Sequence, residues 1–382
     1  MMVCLDFMKC SKVRIPELIQ KVWSCLMGIA LFPIIPMNAE NQMNQTWEQL
    51  ESFVVPQADK ADSKLVYHIP VAMPEFEVKE LIPSWNLEAG EGDRLTLEMD
   101  VTFHDGSTRS YRFGQWSTGQ QILNGDIKTR SSLNDQKDEF AAVYTDTLVF
   151  KEKPAACTLK LELSSESHRR PPALKLVGVC LSGSASVEYS NDALAGNKAP
   201  IELAVPKRCQ LDYIGGNVWC SPTSVTMILG YWAEVLHRPE LEYPVPTVAA
   251  RIFDPGWPGT GNWPFNTAFA GEHAGLRAFV ARLESVDSLY DILAQGIPVA
   301  TSISYDLLKG KAKKGDNDGH LVVCIGFDAD GNPIFNDPAR CPEVRWTYPM
   351  EHFSRAWQSS KRTIYLIIPH GRELPIQNMR LF

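Results

Sequence analysis

The segment Trp219-Cys220-Ser221-Pro222-Thr223-Ser224 places a cysteine immediately before a helix pattern running from Pro222 to about residue 236. In that pattern Val225, Ile228, Leu229 and Trp232 recur at helical spacing, and proline suits the first turn. A thiol attacks as its thiolate, and the unpaired N–H groups and dipole of a helix N-terminus favour that anion. A thiolate needs a base that later returns the proton, and histidine titrates in the useful range. His320, in Asp318-Gly319-His320, follows a polar loop and opens the apolar strand Leu321–Phe327, so its ring can reach out of a sheet. A carboxylate must then hold the imidazole in one tautomer. Asp337, in Asn336-Asp337-Pro338, lies at the end of the next strand, beyond an Asp330-Gly331 turn, and a short antiparallel pair would bring it to the edge that carries His320. Taken singly these residues are ordinary, since most lone cysteines are buried and Asp-Pro commonly ends strands. In combination, helix-start Cys220, strand-start His320 and strand-end Asp337 predict nucleophilic acyl transfer through a thioester.

Two kinds of pattern surround these positions. Leu95–Phe103 alternates apolar with polar residues, Asp105-Gly106 signals a turn, and Ser110–Phe113 returns. The segments 146–150, 157–163 and 173–179 continue the theme, which predicts an all-β sandwich, jelly-roll-like, over 63–190. A linker is expected at 191–200. Over 201–382 helix patterns at 222–236, 267–282, 286–295 and 350–358 accompany strands at 299–303, 321–327, 333–336 and 363–368, an α+β arrangement. Between them Asp254–Asn266 reads as a loop rich in Gly, Pro and Trp. Its Trp257, Trp263 and Phe265 either line a substrate cleft or pack the loop closed. In the β region Trp85, Phe103, Tyr111 and Trp116 are either core or a surface on which a cell-surface polysaccharide could stack.

The chain has 382 residues, 45% of them hydrophobic and 21% charged, which is the composition of a folded protein. Its net charge of −8, with no basic cluster, argues against a nucleic-acid partner. Lys9, Lys12, Arg14 and Lys21 precede an apolar run from Val22 to Pro36 and then Met37-Asn38-Ala39. This is the layout of a signal peptide over 1–39, followed by a polar linker at 40–62, so an exported protein is expected, whether periplasmic, cell-surface or secreted. The rival is an uncleaved anchor, but the run falls short of the roughly 20 residues that span a bilayer. Beyond the leader lie Cys157, Cys180, Cys209, Cys220, Cys324 and Cys341. Cys157 and Cys180 could pair or remain two buried thiols, and Cys209 could bond Cys341. No spacing suggests zinc, and the expected chemistry calls for no metal or cofactor.

Gln210, Trp219–Ser224, Gly319-His320 and Asn336-Asp337-Pro338 together resemble the C-39-like branch of the papain-like cysteine peptidases, over about residues 200–370. Glycine often follows the nucleophile there, whereas this chain has Ser221. The resemblance implies a papain-like fold, with Cys220 as nucleophile, His320 as base and acid, and Asp337 orienting it. It also implies that the Gln210 amide and the Cys220 N–H form the oxyanion hole. The substrate would be a peptide or peptide-like amide and the protein a monomer. The alternatives are an amidase acting on cell-wall peptides, a transglutaminase using the same groups, or a non-catalytic cell-surface binding protein on a papain-like scaffold.

Overall fold

The computed structural model describes residues 44–49, 59–61, 64–90, 92–118, 130–165, 172–183, 193–375 and 380–381. The expected signal peptide lies outside them. The N-terminal strands are β1 (Asn44–Gln49), β2 (Asp59–Ala61), β3 (Lys64–Val71), β4 (Val78–Glu88), β5 (Asp93–Phe103) and β6 (Thr108–Trp116), then β7 (Ser131–Ser132), β8 (Ala141–Tyr144), β9 (Thr147–Phe150), β10 (Pro154–Ser165) and β11 (Ala173–Gly183). They form two six-stranded sheets, one of which also takes in the terminal β19 (Arg380–Leu381): β19-β1-β11-β4-β9-β8 and β2-β3-β10-β5-β6-β7. Alternation sets the register. In β5, Leu95, Leu97, Met99, Val101 and Phe103 are buried and the residues between them are not, as expected where one face of an antiparallel sheet meets a core.

One expectation fails in this region and one open alternative is decided. Residues 40–62 are not simply a linker, because β1 pairs with the edge of β11 and β2 with β3. A polar segment becomes a strand when an existing edge supplies its hydrogen bonds. The aromatics considered for ligand stacking are core: Trp85, Phe103, Tyr111 and Trp116 are 3%, 2%, 3% and 1% exposed. Trp85 and Trp116 meet edge to face at 6.3 Å, joining β4 of one sheet to β6 of the other.

The C-terminal region runs β12 (Ile201–Glu202), α1 (Cys220–Val235), α2 (Val245–Ile252), α3 (Trp263–Gly271), β13 (Leu276–Arg282), α4 (Val286–Ala294), β14 (Val299–Ser304), α5 (Tyr305–Leu308), β15 (Gly319–Phe327), β16 (Pro333–Asn336), β17 (Arg345–Thr347), α6 (Met350–Gln358) and β18 (Thr363–Pro369). Its sheet is ordered β13-β18-β14-β15-β16-β17, with β12 paired to β15. The helix expected over 267–282 divides instead. α3 starts early, capped by the Asn262 side chain accepting from Phe265 N, and stops at Gly271. Residues 276–282 are wholly buried and pair with β18 as a strand. A short, continuously apolar run fits either a buried helix or a strand, and the break at Gly275 (φ +74°) decides for the strand. The expected linker is tied down as well: Ala195 N donates to Asp287, and Lys198 pairs with Asp287 at 2.8 Å and with Asp291 at 3.2 Å.

The described residues form a single compact unit. Buried polar contacts join its N-terminal sheets to the α+β region. The Asn86 side chain of β4 bonds both backbone groups of Ala278 in β13, and Ser84 Oγ accepts from Val280 N. Arg130, 2% exposed, donates to the carbonyls of Ser117, Ala250 and Phe253. Lys175 caps the end of α3 through the carbonyls of Gly271, Glu272 and His273. Glu80 pairs with Arg282 at 2.8 Å and with Lys361. The approach is so close at Gly271 that an added methyl would lie 2.0 Å from Asn86 Nδ2. Among the described residues no helix is long and apolar enough to cross a membrane.

Candidate active site

α1 begins at Cys220, and no side chain caps its N-terminus, so the first-turn N–H groups stay open to the thiol. Pro222 brings no N–H that would need a partner. Ser224 Oγ donates to Leu321 O at 3.2 Å, fixing the first turn of α1 against β15. That contact sets Cys220 beside His320, the second residue of β15. Ser221, the departure from the resembled pattern, is 2% exposed and bonded to the Tyr365 hydroxyl at 2.8 Å. Its side chain points into the core and is accommodated there.

β15 pairs with β16, and Asp337 directly follows β16. His320 Nε2 meets Asp337 Oδ1 at 2.8 Å. With Nε2 so engaged, the other ring nitrogen is left for Cys220, whose thiol interacts with the His320 side chain. Asp337 is fully buried and saturated: Oδ1 also accepts from Ala339 N at 3.0 Å, and Oδ2 from the Tyr348 hydroxyl at 2.7 Å. The Tyr305 ring lies 4.3 Å from the imidazole, centre to centre, and walls it from one side.

The electrostatics follow from these contacts. Burial alone would raise the Cys220 thiol, but the hydrogen bond and charge of His320, with the N–H groups of Leu321 and Ser221, hold it below the ordinary thiol value. Burial opposes the His320 cation, yet bonding to Asp337 and Cys220 and the charges of both raise it to about 9. Asp337 resists the upward push of burial through His320, Tyr348 and the Ala339 N–H, and stays below the usual carboxylate range. The three residues can therefore carry a thiolate–imidazolium pair oriented by a carboxylate, an arrangement suited to attack on an acyl carbon.

A cleft of about 290 Å³ opens over Cys220 and His320. Ser221, Ser302, Gly319, Leu321 and Tyr365 also line it, together with Trp257, Gly261 and Trp263. Two of the three expected cleft aromatics are thus present, with Trp257 46% exposed. Phe265 is not: it is 3% exposed and packs edge-on to Trp85 at 6.2 Å and against Trp116 at 5.1 Å. α3 already runs from Trp263, and two residues along a helix turn the side chain to a different face. Gln210 is not among the side chains lining the cleft. Its 3-10 turn folds back under the next one, Nε2 donates to Gly216 O at 2.9 Å, and Oε1 is buried without a partner.

The Cys209–Cys341 bond is formed, tying the Gln210 turn to the loop after Asp337, where Gln210 N also donates to Pro338 O at 2.9 Å. Cys157 keeps a buried thiol, so it is not paired with Cys180. Among the described residues no cluster of His, Cys, Asp or Glu could hold a metal ion. Sequence reasoning missed Tyr305 and Tyr348, which flank strands with no motif of their own. It also missed the β8–β9 turn, whose Tyr144, Thr145 and Asp146 bring the N-terminal region into the cleft wall.

Comparison with known families agrees with this layout. Residues 202–365 match the model of the Peptidase_C39 like family, and residues 66–182 match that of the peptidase C39 N-terminal domain. No curated protein matches the chain. A crystal structure from Bacillus anthracis, whose description as a C39-like peptidase is provisional, aligns at 18% identity with a TM-score of 0.37, covering 46% of this chain and 100% of that one.

Proposed function

We propose that this chain is a cysteine peptidase that hydrolyses peptide amides through Cys220, His320 and Asp337, a reading supported by the match of residues 202–365 to the Peptidase_C39 like family. The observation that carries the reading is the 2.8 Å bond from Asp337 to His320 beside a thiol at a helix N-terminus. The Cys220 thiolate attacks the scissile carbonyl. The oxyanion forms near the open N–H groups at the start of α1, where preorganised donors stabilise developing charge. His320 passes its proton to the leaving amine, and a thioester remains. Water, deprotonated by His320, then attacks the thioester, and the acid product leaves as the proton returns to the Cys220–His320 pair. In this account Gln210 braces the turn before Cys220 through Gly216. The N-terminal sheets act as a sandwich that buttresses α3 and β13, a papain-like arrangement with an added wall. The Cys209–Cys341 bond favours an oxidising compartment, in keeping with export.

The test is hydrolysis of a fluorogenic peptide-amide library by the wild-type chain and by Cys220→Ala. The reading requires activity that iodoacetamide abolishes and that Cys220→Ala lacks. Equal turnover by both proteins would overturn it.

A further inference from the structure

The turn between β8 and β9 comes from the N-terminal sheets, yet it forms one wall of the cleft over Cys220. It is a braced turn. Thr145 adopts φ +57°, its N–H is held by Asn134 Oδ1 at 3.0 Å, and Asp146 N returns to Tyr144 O at 2.7 Å. The brace presents Asp146 to the cleft. Oδ2 accepts from Trp263 N at 2.9 Å, and Oδ1 accepts from the Thr147 hydroxyl at 3.0 Å. Both partners are neutral. Burial, with a smaller push from the like-charged Asp254, lifts the carboxyl to about 6 against these hydrogen bonds, which leaves it ionised at neutral pH.

Among the described residues lining the cleft there is no lysine or arginine, and the His320 cation is already paired with Asp337. A half-buried carboxylate without a counter-charge is costly, and a cation entering the cleft recovers that cost. Trp257 and Trp263 line the same cleft as Asp146, with aromatic surface suited to an alkyl stem or to the cation itself.

We propose that Asp146 is a specificity-determining residue that docks a positively charged amine of the substrate beside the scissile amide. The proposal rests on the reading of Cys220 as the nucleophile and adds the substrate class: peptides carrying a basic side chain or a free amino group next to the bond cut. The N-terminal sheets thereby take part in substrate selection.

The test reads charge preference at the thiol and needs no turnover. The full chain is treated with cationic 2-aminoethyl methanethiosulfonate or neutral methyl methanethiosulfonate. In each case the Cys220 thiolate displaces methanesulfinate and forms a mixed disulfide, and rates are read by mass spectrometry of the Cys220 peptide. N-acetylcysteine amide provides the reference ratio. A carboxylate lining the same partly screened cleft as the thiol predicts a cation-to-neutral ratio roughly tenfold above the reference. Asp146→Asn, which keeps an oxygen for Trp263 N, should return the ratio to the reference, and Glu152→Gln, an exposed carboxylate past the same hairpin, should leave it unchanged. A wild-type ratio equal to the reference overturns the proposal without any variant, and so does an Asp146→Asn protein that keeps the preference. Peptide hydrolysis without charge preference would sink the role of Asp146 alone. Charge-selective labelling without hydrolysis would sink the peptidase reading alone, and a Cys220 that neither reagent labels would sink both.

Discussion

Tyr348 donates its hydroxyl proton to Asp337 Oδ2 at 2.7 Å, on the carboxylate oxygen opposite the one that holds His320. The carboxylate is thereby fixed at both oxygens, and the imidazole it orients inherits that order. Removing the hydroxyl in Tyr348→Phe leaves a buried charge short of one donor, a loss of about 1–2 kcal/mol. The expected result is a fall of roughly tenfold in kcat with KM little changed. Steady-state peptide hydrolysis measures it, and a kcat equal to wild type would show that Asp337 does not need the bond.

The pH profile should fall on its alkaline side. His320 is raised from 6.5 to about 9, so the imidazolium persists through neutrality and is lost as pH climbs through 9. Because the folded value exceeds the unfolded one, the stability contributed by this charge is complete below pH 6.5 and disappears towards pH 9. Asp337 is depressed, so its contribution has the opposite sense and is lost as the solution becomes acidic. A kcat/KM profile together with melting temperatures across the same range checks both limbs. Activity still rising above pH 9 would contradict the assignment.

Arg130 joins the N-terminal sheets to the α2 end of the α+β region by donating to the carbonyls of Ser117, Ala250 and Phe253, in a site that is 2% exposed. Arg130→Met keeps the length of the side chain but orphans all three acceptors. The expected destabilisation is about 3 kcal/mol or more, as for other buried charged donors. Chemical denaturation gives the value, and a change below about 1 kcal/mol would mean that water replaces the guanidinium.

The Cys209–Cys341 bond closes a long loop, with a sequence separation of 132, between the Gln210 turn and the loop after Asp337. Replacing both cysteines by serine should cost about 2–4 kcal/mol. It should also loosen the Asp337 loop, so kcat should fall further than the drop in melting temperature alone explains. Thermal unfolding with and without reductant, alongside hydrolysis rates, separates the two effects.

Much of the site was legible in local signals. A cysteine before a proline-started helix, a histidine opening an apolar strand and an aspartate ending its hairpin partner are each written within a few residues, and α1, β15 and β16 formed where those signals lie. Strands with strict alternation, such as β5 and β10, were legible for the same reason. The losses were in long-range information. Leu276–Arg282 is apolar throughout and carries no period, so only its pairing with β18 makes it a strand. Phe265 and the β-region aromatics were candidates for exposed roles until packing buried them against one another. Asp146 lies 74 residues before Cys220 in the chain and reaches the cleft only through docking of the two regions, which no local pattern encodes.

The most direct measurement of the central claim is the rate at which iodoacetamide alkylates Cys220 at about pH 6, in the wild-type chain and in His320→Ala, read on the Cys220 peptide. A thiolate held by His320 keeps more of its reactivity as the pH falls, whereas an ordinary thiol slows roughly tenfold per pH unit below its pKa. The account predicts faster and less steeply pH-dependent labelling in the wild type than in His320→Ala, because His320 lowers the Cys220 thiol. Identical, steep profiles in the two proteins would show that His320 does not activate Cys220.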